Sequence, residues 1–265
     1  MPHVDAHQPG TPCWFELSTL DSAAAKVFYA NLFGWSYFDS TMVGPDMPPY
    51  TFARVGDQDV AAITGMMKEQ REQGTPPHWL TYFAVASADQ AASKVNSLGG
   101  QVAAGPFDVN VAGRMAVCLD PAGGAFALWQ AGMHPGARQL NETGAMCWVE
   151  LLAKEIPNSE KFYTGLFGWQ MEKMSMGPIE YTVFKNGEVP VAGMYPNPAG
   201  NEDHVPQNRL GYFQITNCDD TTDKAKASGG NVWVSPQSVP GVGRFAVLAD
   251  PQGATYGILQ PEARK

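Results

Sequence analysis

The chain reads as an α+β protein made of four tandem βαβββ units, arranged as two similar halves. Three observations predict this. The stretch Cys13 to Trp35 returns at Cys147 to Trp169, a constant spacing of 134 residues, with 10 of 23 positions identical. Such self-similarity marks a duplication and has to be read first. Each copy runs strand, helix, glycine: Trp14 to Thr19 alternates in polarity, and FYANLFGW or FYTGLFGW then closes a helix. The tail also recurs, now at a spacing of 130: Gly99-Gly100 with Gly229-Gly230, Gly113-Arg114 with Gly243-Arg244, and Asp120-Pro121-x-Gly123 with Asp250-Pro251-x-Gly253. The difference between 134 and 130 is a net deletion, which belongs in middle strands or linkers.

In order, residues 1–12 read as a flexible arm. Asp21 is an N-cap for a helix over Ser22 to Phe33, and Gly34 stands at its C′ position. Strands near Tyr37, Tyr50 to Val55 and Val60 to Met67 complete unit one, residues 13–67. Lys68 to Pro77 is a polar linker. Unit two, 78–130, opens on Trp79 to Val85; Ser87 and Gln90 form a capping box for the helix Ala88 to Leu98. Its DP-x-G turn has matched chemistry, since Pro presets φ and Gly supplies a positive φ. The first half is thus 13–131, residues 132–144 link the halves, and the second half is 145–261 with units 147–195 and 208–260.

Charge and composition exclude several function classes. Net charge is −9, with 44% hydrophobic and 16% charged residues. No basic stripe exists for nucleic acid or an anionic membrane, and no apolar run is long enough to span a bilayer. The N-terminus shows no signal-peptide pattern. The four cysteines form no C-x-x-C pair and read as buried, reduced thiols of a cytoplasmic protein. A homodimer is compatible with all of this.

The units, with D-x-x-x-A-x-x-FY-x-x-LFGW at the head and DP-x-G at the tail, resemble the glyoxalase / bleomycin-resistance / extradiol-dioxygenase superfamily, the vicinal oxygen chelate group. The resemblance is nearest to its duplicated subgroup labelled glyoxalase-like or hydroxylase. It implies that two units curl their strands into a cup, giving two glyoxalase-like domains. It also implies, for metal-dependent members, a divalent ion held by His, Glu or Gln of the first and last strands. Here those positions fall on Trp14, Trp148, Trp79 and Arg209, and on Ala127 and Gly257. Tryptophan offers no lone pair and arginine repels a cation. The expectation is therefore no metal and no other cofactor. A shift of one or two residues would instead bring His78 in with Glu16, and Asn208 with Glu150.

Strand parity then selects the cup face. Trp14 shares it with Glu16 and Ser18, and Trp148 with Glu150. By the same count Trp79 would share it with Thr81 and Phe83, and Arg209 with Phe213. The resulting expectation is an aromatic pocket with one carboxylate per half. Its ligand is a small hydrophobic or aromatic molecule, and Glu16 or Glu150 serves as acceptor or general base. Rival readings are a tailoring enzyme of hydroxylase or lyase type, a metal-dependent lyase or dioxygenase, and an interaction protein with filled cups. The residues alone do not separate binder from enzyme. The segments Met42 to Tyr50 and Tyr195 to Pro206, the latter with His204, read as lids.

Overall fold

A computed structural model of the protein describes residues 3–40, 48–176, 179–197 and 207–262. Most of both expected lids, His204 included, lies outside the described residues. The first half runs β1 (Pro12–Thr19), α1 (Ser22–Phe33), β2 (Ser36–Asp39), β3 (Tyr50–Val55), β4 (Gln58–Gly65), α2 (Lys68–Glu72), β5 (His78–Ala84), α3 (Ala88–Ser97), β6 (Gln101–Val109), β7 (Gly113–Leu119) and β8 (Ala125–Ala131). The second runs β9 (Met146–Ala153), α4 (Ile156–Phe167), β10 (Gln170–Met176), β11 (Ile179–Asn186), β12 (Val189–Pro196), β13 (Asn208–Gln214), α5 (Cys218–Ala227), β14 (Asn231–Val239), β15 (Gly243–Ala249) and β16 (Thr255–Pro261). The four βαβββ units are all present. The expected linker after unit one carries one short helix, α2.

Each half forms one eight-stranded sheet, in the orders β2-β3-β4-β1-β5-β8-β7-β6 and β10-β11-β12-β9-β13-β16-β15-β14. Consecutive units therefore pair, with their first strands antiparallel at the centre. The sheets curl. In the first, β3 and β8 are four strand spacings apart, about 19 Å if flat. Yet Phe52 on β3 and Trp129 on β8 sit with ring centroids 5.5 and 5.8 Å from the same His134 ring.

The helices form where the sequence signals them. Asp21 accepts hydrogen bonds from the Ala23 and Ala24 N–H groups at 3.0 Å, satisfying donors that the first turn leaves free. Gly34 closes α1 in the left-handed region, at φ 69°. The buried stripe of α1 is Ala25, Phe28, Tyr29, Leu32 and Phe33, whereas Val27 is exposed.

Helices of one half pack against the other half, α1 on α5 and α3 on α4. The main core is consequently shared. Phe33, Trp35 and Trp79 of the first half pack on Phe213 at centroid distances of 5.0 to 5.4 Å. Burying each such ring contributes on the order of 2–3 kcal/mol, so the halves stabilise one another. Close approach of the halves needs glycine at Gly211, where a Cβ would collide with the Phe15 ring. The expected flexible arm is instead hydrogen-bonded. Val4 donates to the Arg138 carbonyl, and Gly10 accepts from the Trp169 indole at 2.8 Å.

Candidate functional site

The central strand pairs fix which side chains face the open side of each cup. Opposed residues share a face. Trp14 lies opposite Tyr82, Glu16 opposite Leu80, and Ser18 opposite His78. Trp148 lies opposite Tyr212, Glu150 opposite Leu210, and Leu152 opposite Asn208. Trp14, Glu16, Ser18, Trp148 and Glu150 thus face the cups. The expectation for β5 and β13 was one residue out of phase. Trp79 lies opposite Leu17, Thr81 opposite Phe15, and Arg209 opposite Leu151. These three, with Phe83 and Phe213, point away from the cups and into the region between the halves.

Phe83 and Phe213 there are core aromatics, and Arg209 has a structural partner. It pairs with Asp120 at 3.3 Å, donates to the Ala125 carbonyl at 2.6 Å and lies over the Phe126 and Tyr163 rings. Asp120 also accepts from Tyr163, from Gln207 at 2.6 Å and from the Gly124 N–H at 2.8 Å. Burial lowers the Arg209 pKa to about 10. Trp79 occupies the matching place in the other half. Its indole donates to Tyr29 Oη at 3.0 Å, and Tyr29 donates to Asp250 at 3.1 Å.

Each cup contains the same polar chain, in which parity found the tryptophan and the glutamate but missed both tyrosines. In the second cup Trp148 Nε1 donates to Tyr181 Oη at 2.9 Å, Tyr181 donates to Glu150 Oε2 at 2.9 Å, and Tyr212 donates to Glu150 Oε1 at 3.1 Å. In the first, Trp14 Nε1 donates to Tyr50 Oη at 2.9 Å, and both Tyr50 and Tyr82 hydrogen-bond Glu16. The direction is forced. An indole N–H can only donate, so the first tyrosine oxygen accepts and its own proton points to the carboxylate. A sequence signal for these partners existed. Tyr50-Thr51 recurs as Tyr181-Thr182, and Tyr82-Phe83 as Tyr212-Phe213.

Electrostatically both glutamates are strained toward the neutral form. Burial raises the pKa of each, and the two tyrosine hydrogen bonds only partly offset it. The tyrosines are raised in turn, first by burial and then by the neighbouring carboxylate. Both glutamates remain partly exposed. The arrangement can accept a hydrogen bond from a ligand O–H or N–H, or take up a proton.

The donor set does not fit a metal ion of the kind the family's metal-dependent members hold. His78 does share the cup face with Glu16, but its counterpart beside Glu150 is Asn208. The last-strand positions are Ala127 and Gly257, and tyrosine hydroxyls already engage the Glu150 oxygens. Among the described residues no three His, Cys, Asp or Glu side chains gather. The cysteines are free, with thiols pushed up by burial, to about 12 for Cys118 and Cys147. No described helix is long and apolar enough to cross a membrane.

The curled paired sheets and the repeated carboxylate networks define a duplicated, cup-forming α+β protein. The chain belongs to the Glyoxalase/Bleomycin resistance protein/Dioxygenase superfamily, whose model matches residues 13–128 and again 146–257. It is 41% identical over 262 residues to "Putative glyoxylase CFP32" of Mycobacterium tuberculosis, covering 98% of both chains. It is 34% identical over 263 residues to "Anthracycline biosynthesis protein DnrV" of Streptomyces peucetius, covering 95% of this chain and 94% of that one. Solved structures share the fold. The Mn(II)-bound glyoxalase from Novosphingobium aromaticivorans matches with a TM-score of 0.63 at 15% identity, over 97% of this chain and 86% of that one. The 2,3-dioxygenase LapB from Pseudomonas sp. KL28 matches at 0.65 and 12%, over 96% and 93%.

Proposed function

We propose that the protein holds a flat aromatic or otherwise hydrophobic small molecule in a cup, without a metal ion, and uses a network glutamate as its polar anchor. The observation that carries this reading is the Trp–Tyr–Glu–Tyr chain, present in both cups. A carboxylate among aromatic side chains costs stability that an apolar residue would not. It serves a ligand that brings a hydrogen-bond donor. Pockets of this composition, mainly apolar with few convergent polar groups, suit drug-sized molecules. An aromatic ligand also accords with the relative named for anthracycline biosynthesis.

One observation favours a second reading, a tailoring enzyme. A carboxyl group whose pKa is raised by burial is suited to proton transfer near neutral pH, and Glu16 and Glu150 both fit.

Calorimetric titration with two flat phenols, 1-naphthol and 1,4-dihydroxyanthraquinone, tests the binding reading. The expected result is binding that weakens about tenfold in the Glu16→Gln/Glu150→Gln double variant, the loss of one hydrogen bond to a charged acceptor. Absence of binding by either phenol would overturn it. Loss of turnover with affinity kept would move the assignment to the enzyme. Stoichiometric nickel, zinc or iron in protein purified without chelator would overturn the metal-free part.

A further inference from the structure

The two cups carry the same network but differ in what surrounds it. In the first, the segment linking the halves folds back over the sheet. Ala137 N–H donates to the Cys13 carbonyl and Arg138 N–H to the Asp59 carbonyl, both at 2.7 Å. His7 and Val4 hold the same segment from the other side. This places the His134 ring inside the cup. It stands edge-on to Trp14, with centroids 4.6 Å apart and planes at 86°, and also contacts Phe52 and Trp129. Its carbonyl accepts from the Trp129 indole at 2.9 Å. Around it the cup interior closes into a buried apolar cluster that includes Trp14, Tyr82, Trp129 and Ala137, and Trp14 is only 2% exposed. His134 Nε2 is buried with no protein partner.

The second cup has no such cluster among the described residues, and Trp148 is partly exposed. The floor beneath its tyrosines is reduced. Ala62, opposite Glu16, becomes Gly193, opposite Glu150; Ala127, opposite Tyr82, becomes Gly257, opposite Tyr212. A Cβ on Gly193 would collide with Tyr181 Oη, and one on Gly257 with the Tyr212 ring. Both tyrosines therefore sit down on the sheet. The walls that clamp the His134 ring shrink as well, Phe52 becoming Val183 and Trp129 becoming Leu259. Two rim positions grow and become more apolar, Ser18 to Leu152 and Thr64 to Tyr195. The residue at His134's spacing, Arg264, lies outside the described residues.

We infer that His134 is a built-in occupant of the first cup, and that the second cup alone takes the external ligand. This rests on the binding reading above and sharpens it. The internal ring marks the ligand's class and pose: a flat, neutral ring packed edge-to-face on Trp148, with an O–H or N–H donor directed to Glu150.

Stoichiometry tests it, using the full chain and the same two phenols. Wild-type protein is expected to bind one equivalent. Trp148→Phe and Glu150→Gln each weaken that binding about tenfold. His134→Gly is expected to open the first cup and raise the count to two. Two equivalents in the wild type would overturn the blocking role of His134, as would one equivalent in a folded His134→Gly protein. A single equivalent sensitive to Glu16→Gln rather than Glu150→Gln would overturn the choice of cup. In each of these cases the binding reading survives. No binding by wild type or His134→Gly would remove both. Circular dichroism and thermal unfolding separate misfolded variants, and Phe52→Ala gives a second way to loosen the internal ring should His134→Gly fail to fold.

Discussion

The two halves share their backbone plan and their Trp–Tyr–Glu–Tyr chains, and they differ in what fills the space on either side of each sheet. Between the halves, the first contributes Trp79 where the second contributes Arg209. The indole reaches Asp250 through Tyr29, while the guanidinium meets Asp120 directly. On the cup side, Trp14 of the first half is buried against the His134 ring, whereas Trp148 of the second is partly exposed. The comparison teaches that the duplicated polar groups are held constant while the volume around them is free to diverge. Under the binding proposal, the network in the filled cup is structural and its copy beside Trp148 is the ligand's anchor.

The largest expected effect breaks the comparison between the halves. Arg209→Met leaves Asp120 buried without its cation and should destabilise by about 3–5 kcal/mol, as removal of one partner of a buried pair does. Trp79→Phe, at the matching place, removes a neutral hydrogen bond to Tyr29 and part of a packed ring, leaves no buried charge unpaired, and should cost about 1–3 kcal/mol. Urea unfolding midpoints and slopes measure both. Equal losses would show that the ion pair is no more demanding than the tryptophan.

The next effect sharpens the contrast between the cups. Trp14→Ala removes a buried ring from a closed cluster and should cost about 3–5 kcal/mol. Trp148→Ala removes a partly exposed ring and should cost less than half as much, by the same unfolding measurement. Equal costs would mean that the second cup is as closed as the first.

How much of this was legible in the sequence depended on the strand. In β1 and β9 the alternation was readable because one face carries Glu16 or Glu150 among apolar residues. In β5 and β13 it was not. HWLTYFA has aromatic rings on both faces, because one side packs the core between the halves and the other lines a cup. Such doubly buried strands lose the period-two signal, and counting from Trp79 and Arg209 selected the wrong face. His134 was invisible for a different reason. It lies in a connecting segment, has no repeated counterpart in the described chain, and acts only because the segment folds back on β1. The lid expectation for residues 42–50 and 195–206 falls mostly on residues not described.

The smallest expected effect tests whether enclosure differs at the glutamates themselves. Burial raises the folded pKa of Glu16 and Glu150 above the ordinary value of 4.5. A raised carboxyl pKa means that the folded state binds more protons than the unfolded state between those two values. Each glutamate's contribution to stability is therefore fully present below pH 4.5 and is lost as pH rises through its folded pKa. Glutamine cannot ionise, and its amide offers an acceptor to one tyrosine and a donor to the other. Glu16→Gln and Glu150→Gln should thus each raise the unfolding midpoint at pH 8, with the gain shrinking toward pH 4. The gain should be larger for Glu16, whose neighbour Trp14 is buried against the His134 ring, than for Glu150, whose neighbour Trp148 is partly exposed. Differential scanning calorimetry across that pH range decides it. A larger gain at Glu150 would place the drier carboxylate in the second cup and reverse the assignment of which cup is open.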